Sequence, residues 1–218
     1  MSSVQQIAPQ SALLNKAPST FNYVLFTKKK SKTLRIASIN MNSRYFDQIP
    51  KIYDIIREQK IDILCIQDIG VKSKRKRSDF YTLRNFETII QHPEQNSKEG
   101  LAIIYNKSIS CKEPVGTIHK EARMIQLKLE IANTEYIINN VYIVPQKNAS
   151  RTAQLTEIEK VIEKGMNNIL IGDINSYESD SLDRWSNISK KSKIGGQKIF
   201  EMFRKLELQD SYRLINGK

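Results

Sequence analysis

A chain of 218 residues, 39% of them hydrophobic, can bury the core of one domain, with or without a tail. Its two cysteines exclude a disulfide framework, no apolar run approaches the ~18 residues of a membrane span, and no signal-peptide pattern is present, so we expect an intracellular protein without membrane association. The formal net charge of +12 favours a polyanionic partner, nucleic acid before an anionic membrane surface, although excess lysine also occurs in chains that bind nothing anionic.

Residues 1–32 are polar and irregular, and they end in the lysine-rich run Lys28–Lys32. We predict a disordered basic extension over residues 1–32, followed by one folded domain over residues 33–218. Phe21–Phe26 is an alternative to disorder, because it could add a short edge strand. The lysine run has two interpretations: a solvated charge run, or a contact with phosphates or a nuclear address.

Two similar units follow, each consisting of a strand, a helix and a second strand. In the first unit, Leu34–Ile39 is predicted to be a strand, and Ile61–Ile66 a strand buried on both faces that leads to Asp68. The helix between them is indicated by apolar residues at helical spacing, namely Ile49, Ile52, Tyr53 and Ile56.

In the second unit, the strand Tyr136–Val141 leads through a helix to the strand Ile169–Ile171, which ends at Gly172 and Asp173. Each unit has about 30 residues, as expected of a βαβ crossover. Taken alone, the stretch around Asp173 is better explained as a strand followed by an Asx turn. Its recurrence favours a ligand site at the carboxyl ends of the strands.

The remaining elements are three antiparallel strands between the two units and one helix after them. The strands are predicted at Phe86–Gln91, Leu101–Tyr105 and Met124–Ile131. A basic segment directly after Asp68 is equally well interpreted as a solvated loop or as a contact with phosphate groups. Its basic residues are Lys72, Lys74, Arg75, Lys76 and Arg77, and the helical stripe is Ile199, Met202, Phe203 and Leu206.

Carboxylates and carboxamides at the ends of neighbouring strands, close to basic residues, suit a hard divalent cation. Mg²⁺ takes oxygen ligands and is typically held by one or two carboxylates together with substrate phosphate. We therefore predict Mg²⁺ as the cofactor, with Mn²⁺ as a substitute, and no small organic cofactor. Such an ion polarises a phosphoryl oxygen and helps to orient an attacking water.

Four segments in order resemble motifs of the endonuclease/exonuclease/phosphatase superfamily of Mg²⁺-dependent phosphodiesterases. Each is weak alone, but their shared order and spacing are specific. The resemblance implies an α/β fold, a four-layer sandwich of two mixed β-sheets flanked by helices. The four segments are Leu34–Asn42, Asp62–Asp68, Asn140–Pro145 and Gly172–Asn175, and two later ones, Leu182–Arg184 and Leu208–Arg213, are similar to endonuclease domains of LINE-type (non-LTR) retrotransposons.

The resemblance also implies a role for each residue that matches a motif. By this resemblance, Asp68 is a metal ligand with Asn42 close to it. Asp173 acts as the base or holds the nucleophile, Asn40 orients Asp173, Asn175 positions the nucleophile, and Tyr142 hydrogen-bonds the scissile phosphate.

This sequence departs from the family pattern in two places. Asp68 stands where the family usually has Glu, which shortens the reach toward a metal by about one bond. The family also ends with a Ser-Arg-Ile-Asp-like strand and a Ser-Asp-His strand, and this chain stops before both, so we expect the sandwich to lack its last strands. His92 and His119 fit neither motif and are predicted to be ordinary surface or partly buried histidines.

These observations predict a nuclear Mg²⁺-dependent DNA endonuclease of retrotransposon type, whose parent polyprotein carried a reverse transcriptase domain. Loss of the Asp–His pair makes its activity uncertain. One alternative is a non-catalytic remnant that binds nucleic acid through the basic segment Lys72–Arg77. The other is a phosphatase of the same superfamily that acts on a small soluble ester.

Overall fold

The computed structural model of the protein describes residues 3–5, 22–28, 31–43, 45–70, 84–92, 100–145, 149–176, 196–211 and 214. None of the helices within these ranges has the length and apolar character that a membrane crossing requires. The described residues form ten strands, β1 (Ser3–Gln5), β2 (Asn22–Lys28), β3 (Ser31–Asn40), β4 (Ile63–Gln67), β5 (Phe86–Gln91), β6 (Leu101–Asn106), β7 (Val115–His119), β8 (Met124–Ile131), β9 (Thr134–Tyr142) and β10 (Asn168–Asp173), and three helices, α1 (Tyr45–Glu58), α2 (Ala149–Val161) and α3 (Gly196–Lys205).

The strands form two mixed sheets. The first has the order β1-β2-β3-β4-β6-β5 and the second β10-β9-β8-β7. Each sheet contains one parallel pair, β3 with β4 and β9 with β10, and all the other pairs are antiparallel. The parallel pairs are the ones that α1 and α2 connect, because a parallel pair needs a crossover. The two predicted βαβ units are therefore confirmed, and so is the antiparallel pairing of the intervening strands.

Three apolar clusters give the molecule four layers. One cluster joins α1 to the outer face of the first sheet, and includes Ile52, Leu64 and Ile104. A second lies between the two sheets, where residues such as Ile63 and Leu127 meet. The third joins α2 and α3 to the outer face of the second sheet. This helix–sheet–sheet–helix order confirms the predicted four-layer α/β sandwich.

Alternation along β4 explains why its first four residues, Ile63–Ile66, are all apolar. Leu64 and Ile66 face α1, whereas Ile63 and Cys65 face the second sheet, so both sides of the strand are buried. Burial also raises the pKa of the Cys65 thiol above its ordinary value, because the apolar surroundings disfavour the thiolate. Cys65 is thus a core residue, as predicted.

The helical stripes of α1 and α3 are buried as predicted, whereas the buried face of α2 is different. Its apolar residues Leu155 and Val161 are only partly buried. Arg151 and Gln154 are buried instead, on the face that also carries Ile158. Polar residues occupy this face because they hydrogen-bond the loop that follows β9.

Residues 1–32 are predicted to be a disordered extension, with a short strand at Phe21–Phe26 as the alternative, and within them the structure describes two strands, β1 and β2. β2 pairs antiparallel with β3 from Asn22 opposite Ser38 to Lys28 opposite Ser31, and β1 pairs with β2. The sheet therefore begins before residue 33. Pairing with β3 satisfies backbone N–H and C=O groups of β2, a gain that the polar composition of the segment does not reveal.

Candidate active site

The predicted site residues lie at the carboxyl ends of the parallel pairs. In the first sheet, Asn40 is the last residue of β3 and pairs with Gln67, the last residue of β4. In the second sheet, Tyr142 ends β9 and pairs with Asp173, which ends β10. Each βαβ unit thus contributes one pair of neighbouring strand ends, so that one such pair comes from each sheet.

A hydrogen bond joins these two pairs of strand ends across the sandwich. The Nδ2 amide of Asn40 donates to Oδ2 of Asp173 at 2.7 Å. The orientation of Asn40 is itself fixed, because its Oδ1 accepts from the backbone N–H of Asn42 at 2.9 Å. The second oxygen of Asp173, Oδ1, accepts from the backbone N–H of Asn175 at 2.9 Å. Four of the predicted site residues therefore form one hydrogen-bonded chain across both sheets.

Asp173 faces the other sheet because of the alternation along β10. Ile169 and Ile171 contribute to the cluster between the sheets, and Asp173 is next on the same face. Gly172 lies between Ile171 and Asp173. Its φ is +150°, and a Cβ atom there would lie 2.0 Å from the Val141 carbonyl oxygen. A side chain at Gly172 would therefore force β10 away from β9 and move Asp173.

Asp68 is held within its own unit. It lies just past β4 in the left-handed conformation, at φ of +52°, which Asp tolerates better than most residues. The Ser43 hydroxyl donates to Oδ1 of Asp68 at 3.0 Å, and the Ser43 backbone N–H donates to the Asp68 carbonyl at 2.8 Å. Gly70 makes this approach possible, since a Cβ there would lie 2.3 Å from Ser43.

Gln154 and Arg151, on the first turns of α2, hold the end of β9 and the segment after β10. Gln154 donates to the carbonyls of Tyr142 and Ala122 at 2.7 and 3.0 Å. The Arg151 guanidinium lies 3.5 Å from the Asn175 carbonyl oxygen. Burial lowers the pKa of Arg151, because the cation loses hydration. A buried positive charge therefore lies next to the loop that carries Asn175.

The donor set around Asp68 fits a hard cation that keeps part of its water shell. The Ser43 hydroxyl oxygen lies beside the Asp68 carboxylate, and Asn42, whose carboxamide the resemblance places close to the same ion, directly precedes Ser43 in the chain. Within the described ranges, no group of three or more His, Cys, Asp or Glu side chains could hold a metal ion. One carboxylate with neutral oxygens is compatible with Mg²⁺, which commonly completes its shell with water and substrate phosphate.

For the other predicted residues, the structure either gives fewer contacts or does not describe the residue. Tyr142 packs at the margin of the cluster between the sheets, and its backbone N–H donates to the Arg123 carbonyl. The basic residues Lys72, Lys74, Arg75, Lys76 and Arg77 lie outside the described residues, as does Leu182–Arg184. His92 is exposed, and His119 is half-buried and hydrogen-bonded to Gln126.

The sequence interpretation missed Ser43, Arg151 and Gln154. Ser43 directly follows the first motif. Its position in the sequence could therefore have indicated a role in the site, whereas its residue type did not. Arg151 and Gln154 are separated by one helical turn and align with Ile158. Polar residues that continue an apolar stripe at helical spacing could have indicated that the start of α2 faces the site.

No protein-family model matches the sequence, and no curated protein matches it. Solved structures do share its fold. The 3′ phosphatase NExo from Neisseria, bound to a product DNA hairpin, superposes with a TM-score of 0.65 at 16% identity, over 84% of this chain and 75% of that one.

Two further structures match over a similar extent. The endonuclease domain of TRAS1, a telomere-specific non-LTR retrotransposon, has a TM-score of 0.53 at 13% identity, over 79% of this chain and 70% of that one. An AP endonuclease from Archaeoglobus fulgidus has a TM-score of 0.52 at 18% identity, over 80% and 70%. The chain therefore shares the fold of these three proteins, and this agrees with the α/β sandwich that the resemblance of its four motifs implied.

Proposed function

We propose that this protein is a Mg²⁺-dependent DNA endonuclease of retrotransposon type that hydrolyses a phosphodiester bond. The observation that carries the proposal is the hydrogen-bonded chain from Asn40 through Asp173 to Asn175, which joins the two strand-end pairs at one edge of the sandwich. A carboxylate fixed on both of its oxygens from two different sheets is expected of a group whose placement matters for chemistry.

In the proposed reaction, a water oxygen attacks the phosphorus, its proton passes to Asp173, and the bond from phosphorus to the leaving oxygen breaks. Asn40 and the Asn175 backbone keep the Asp173 carboxylate in one orientation throughout. Tyr142, which pairs with Asp173, would donate to the scissile phosphate, and Asn175 would position the water.

Asp68 and Asn42 would hold the Mg²⁺ ion, with Mn²⁺ as a substitute, and Ser43 would orient Asp68. When bound, the ion would neutralise charge on the phosphoryl oxygens and make it easier for the attacking water to lose its proton. The shorter Asp68 side chain is accommodated here by its left-handed backbone and its bond to Ser43.

DNA is the proposed substrate because a net charge of +12 suits a polyanion. The basic segment Lys72–Arg77 directly follows the metal-ligand strand in sequence, so it would contact the phosphate backbone beside the site. The same basic character supports a nuclear location. A retrotransposon origin would add a reverse transcriptase domain to the parent polyprotein, and TRAS1 is a non-LTR retrotransposon whose endonuclease domain shares this fold.

The test is nicking of a supercoiled plasmid by the full chain in Mg²⁺ and in EDTA, with the Asp173→Ala variant alongside. The matched control is Asp54→Ala, which removes an exposed carboxylate on α1 that pairs with Arg57. We expect nicking in Mg²⁺ by the native chain and by Asp54→Ala, and none in EDTA or by Asp173→Ala.

The alternatives give different results in the same experiment. Salt-sensitive DNA binding without Mg²⁺-dependent nicking would identify the chain as a non-catalytic remnant. Hydrolysis of a small phosphate monoester, without affinity for DNA, would identify it as a phosphatase. Nicking that Asp173→Ala retains in full would contradict the role proposed for Asp173.

A further inference from the structure

Three polar side chains are buried in the otherwise apolar layer between the two sheets. Ser38, Gln67 and Asn140 are exposed by 3%, 1% and 0%, respectively. Their neighbours in this layer are aliphatic, such as Ile36 and Leu101. Burying amides in such surroundings is costly unless every polar atom has a partner.

The three side chains satisfy one another and the backbone of the first sheet. Ser38 Oγ donates to Gln67 Oε1 at 3.2 Å, and Gln67 Nε2 donates to Asn140 Oδ1 at 2.7 Å. Asn140, on the second sheet, donates through Nδ2 to the carbonyls of Ile66 and Ala102 at 3.1 and 2.9 Å. A single side chain of β9 is thus bonded to the two central strands, β4 and β6, of the other sheet. We name Ser38, Gln67 and Asn140 the polar bridge.

The polar bridge lies directly beneath the candidate active site, within two residues of the site residues along the strands. Ser38 precedes Asn40 by two residues on the same face of β3, and Gln67 directly precedes Asp68. Asn140 precedes Tyr142 by two residues and pairs with Ile171, which precedes Asp173 by two. Each strand that leads to a proposed site residue therefore either contains a residue of the polar bridge or pairs with a strand that does.

We propose that the polar bridge is a positioning device that fixes the two sheets relative to each other, so that Asn40 meets Asp173. This inference rests on the proposed function for its catalytic consequence. Apolar pairs would fill the same space, but they tolerate sliding, whereas an amide that bonds two defined carbonyls specifies one arrangement. Misplacement of reacting groups by about 1 Å is enough to cost about 100-fold in rate.

The neighbouring residue Asn139 provides a matched control. It is also fully buried, and its Oδ1 accepts from Gln126 Nε2 at 2.8 Å. Asn139 lies on the opposite face of β9, and its bonds stay within the second sheet, to Gln126, Ile137 and Asn168. Asn139→Leu and Asn140→Leu thus remove equally buried amides from adjacent positions, and only the second removes a link between sheets.

The experiment compares these two variants at a temperature at which both are folded. We expect Asn140→Leu to lower kcat for plasmid nicking by about 10- to 100-fold with little change in KM, and Asn139→Leu by no more than about twofold. A second readout does not require activity: the side-chain amide resonance of Asn40 in ¹H–¹⁵N NMR, assigned from an Asn40→Ala variant. It should shift or broaden in Asn140→Leu and stay in place in Asn139→Leu.

The double variant Gln67→Leu/Asn140→Leu removes both amides and leaves only the Ser38 hydroxyl without its side-chain partner, so that it retains more stability than the single variant. We expect it to fold, to show the displaced Asn40 resonance and to remain slow. Native-like kcat or a native Asn40 resonance in this variant would overturn the inference. If the native chain does not nick DNA, the proposed function fails, and the resonance alone still decides whether the bridge positions Asn40.

Discussion

The two βαβ units present their acidic residues by different means. In both, a backbone N–H donates to the carbonyl of the acidic residue: Ser43 to Asp68 at 2.8 Å, and Ile143 to Asp173 at 2.9 Å. The side chains differ. Asp68 accepts from Ser43 of its own unit, whereas Asp173 accepts from Asn40 of the other unit.

The backbones differ in a matching way. Asp173 is the last residue of β10, so the strand alternation aims its side chain between the sheets. Asp68 lies beyond β4 in the left-handed conformation, so the turn aims it. The first unit can therefore bring Asp68 and Ser43 together by itself, while the position of Asp173 relative to Asn40 depends on how the two sheets pack. This contrast predicts that different substitutions disturb metal binding and chemistry.

The largest effect is expected at Asp173. Asp173→Asn keeps the shape of the side chain but removes the proposed proton acceptor, so kcat should fall by about 10²- to 10⁴-fold. The Mg²⁺ concentration at half-maximal activity should stay the same, because the proposed metal ligand, Asp68, is unchanged. Steady-state nicking at a series of Mg²⁺ concentrations measures both quantities. Asp68→Asn should show the reverse pattern, with a larger change in the Mg²⁺ concentration at half-maximal activity than in kcat. Equal patterns for the two variants would contradict the proposed division of roles between the units.

Gly172→Ala should cause the largest loss of stability. Its Cβ would lie 2.0 Å from the Val141 carbonyl oxygen at φ of +150°, so β10 must shift or the fold must open. We expect a loss of about 2–5 kcal/mol in the free energy of unfolding, measured by urea titration.

The control for Gly172→Ala is Gly165→Ala, which also has a positive φ, of +76°, but has nothing within 4 Å of the added Cβ. It should lose only about 1–2 kcal/mol, the cost of the left-handed conformation. Equal losses for both variants would mean that the close approach of β10 to β9 does not matter for stability.

Asn40→Ala tests the contact between the units. It removes the hydrogen bond to the Asp173 carboxylate, which is worth about 1.5–3 kcal/mol and corresponds to about 10- to 100-fold in kcat. Asn42→Gly is the comparison, since glycine keeps the N–H that binds Asn40 and tolerates the φ of +46°. We expect it to leave kcat near the native value and to raise the Mg²⁺ requirement; a kcat loss as large as that of Asn40→Ala would contradict this assignment.

The smallest effect is expected from Ser43→Ala, which acts within the first unit only. Losing the hydroxyl that orients Asp68 should weaken Mg²⁺ affinity by about tenfold, the lower range for a residue that supports a metal ligand. Calorimetric titration with Mg²⁺ measures it without substrate. Ser108→Ala, an exposed serine far along the chain on the turn after β6, should leave the affinity unchanged.

Local sequence patterns were sufficient to predict a helix or strand wherever that element buries an apolar face of its own. The stripe Ile49, Ile52, Tyr53 and Ile56 identified α1, and the run Ile61–Ile66, apolar on both faces apart from Asp62, identified a central strand. β2 (Asn22–Lys28) was predicted only as an alternative to disorder, as a short strand at Phe21–Phe26, because its stability comes from pairing with β3 rather than from its own composition. Arg151 and Gln154 were missed for the same reason: they are buried by hydrogen bonds to carbonyls remote in sequence.

The resemblance of the motifs to a known family implied the four-layer order, whereas the sequence by itself determined the two βαβ units and the identity of the residues at the strand ends. These follow from periodicity and from short-range rules, since a parallel pair needs a crossover and places its carboxyl ends together. Only the tertiary structure decided that Asn40 bonds Asp173 and that Asn140 bonds the other sheet. Contacts between sheets depend on how two separately specified surfaces pack, and 133 residues separate Asn40 from Asp173 in the chain, so no local pattern encodes their distance.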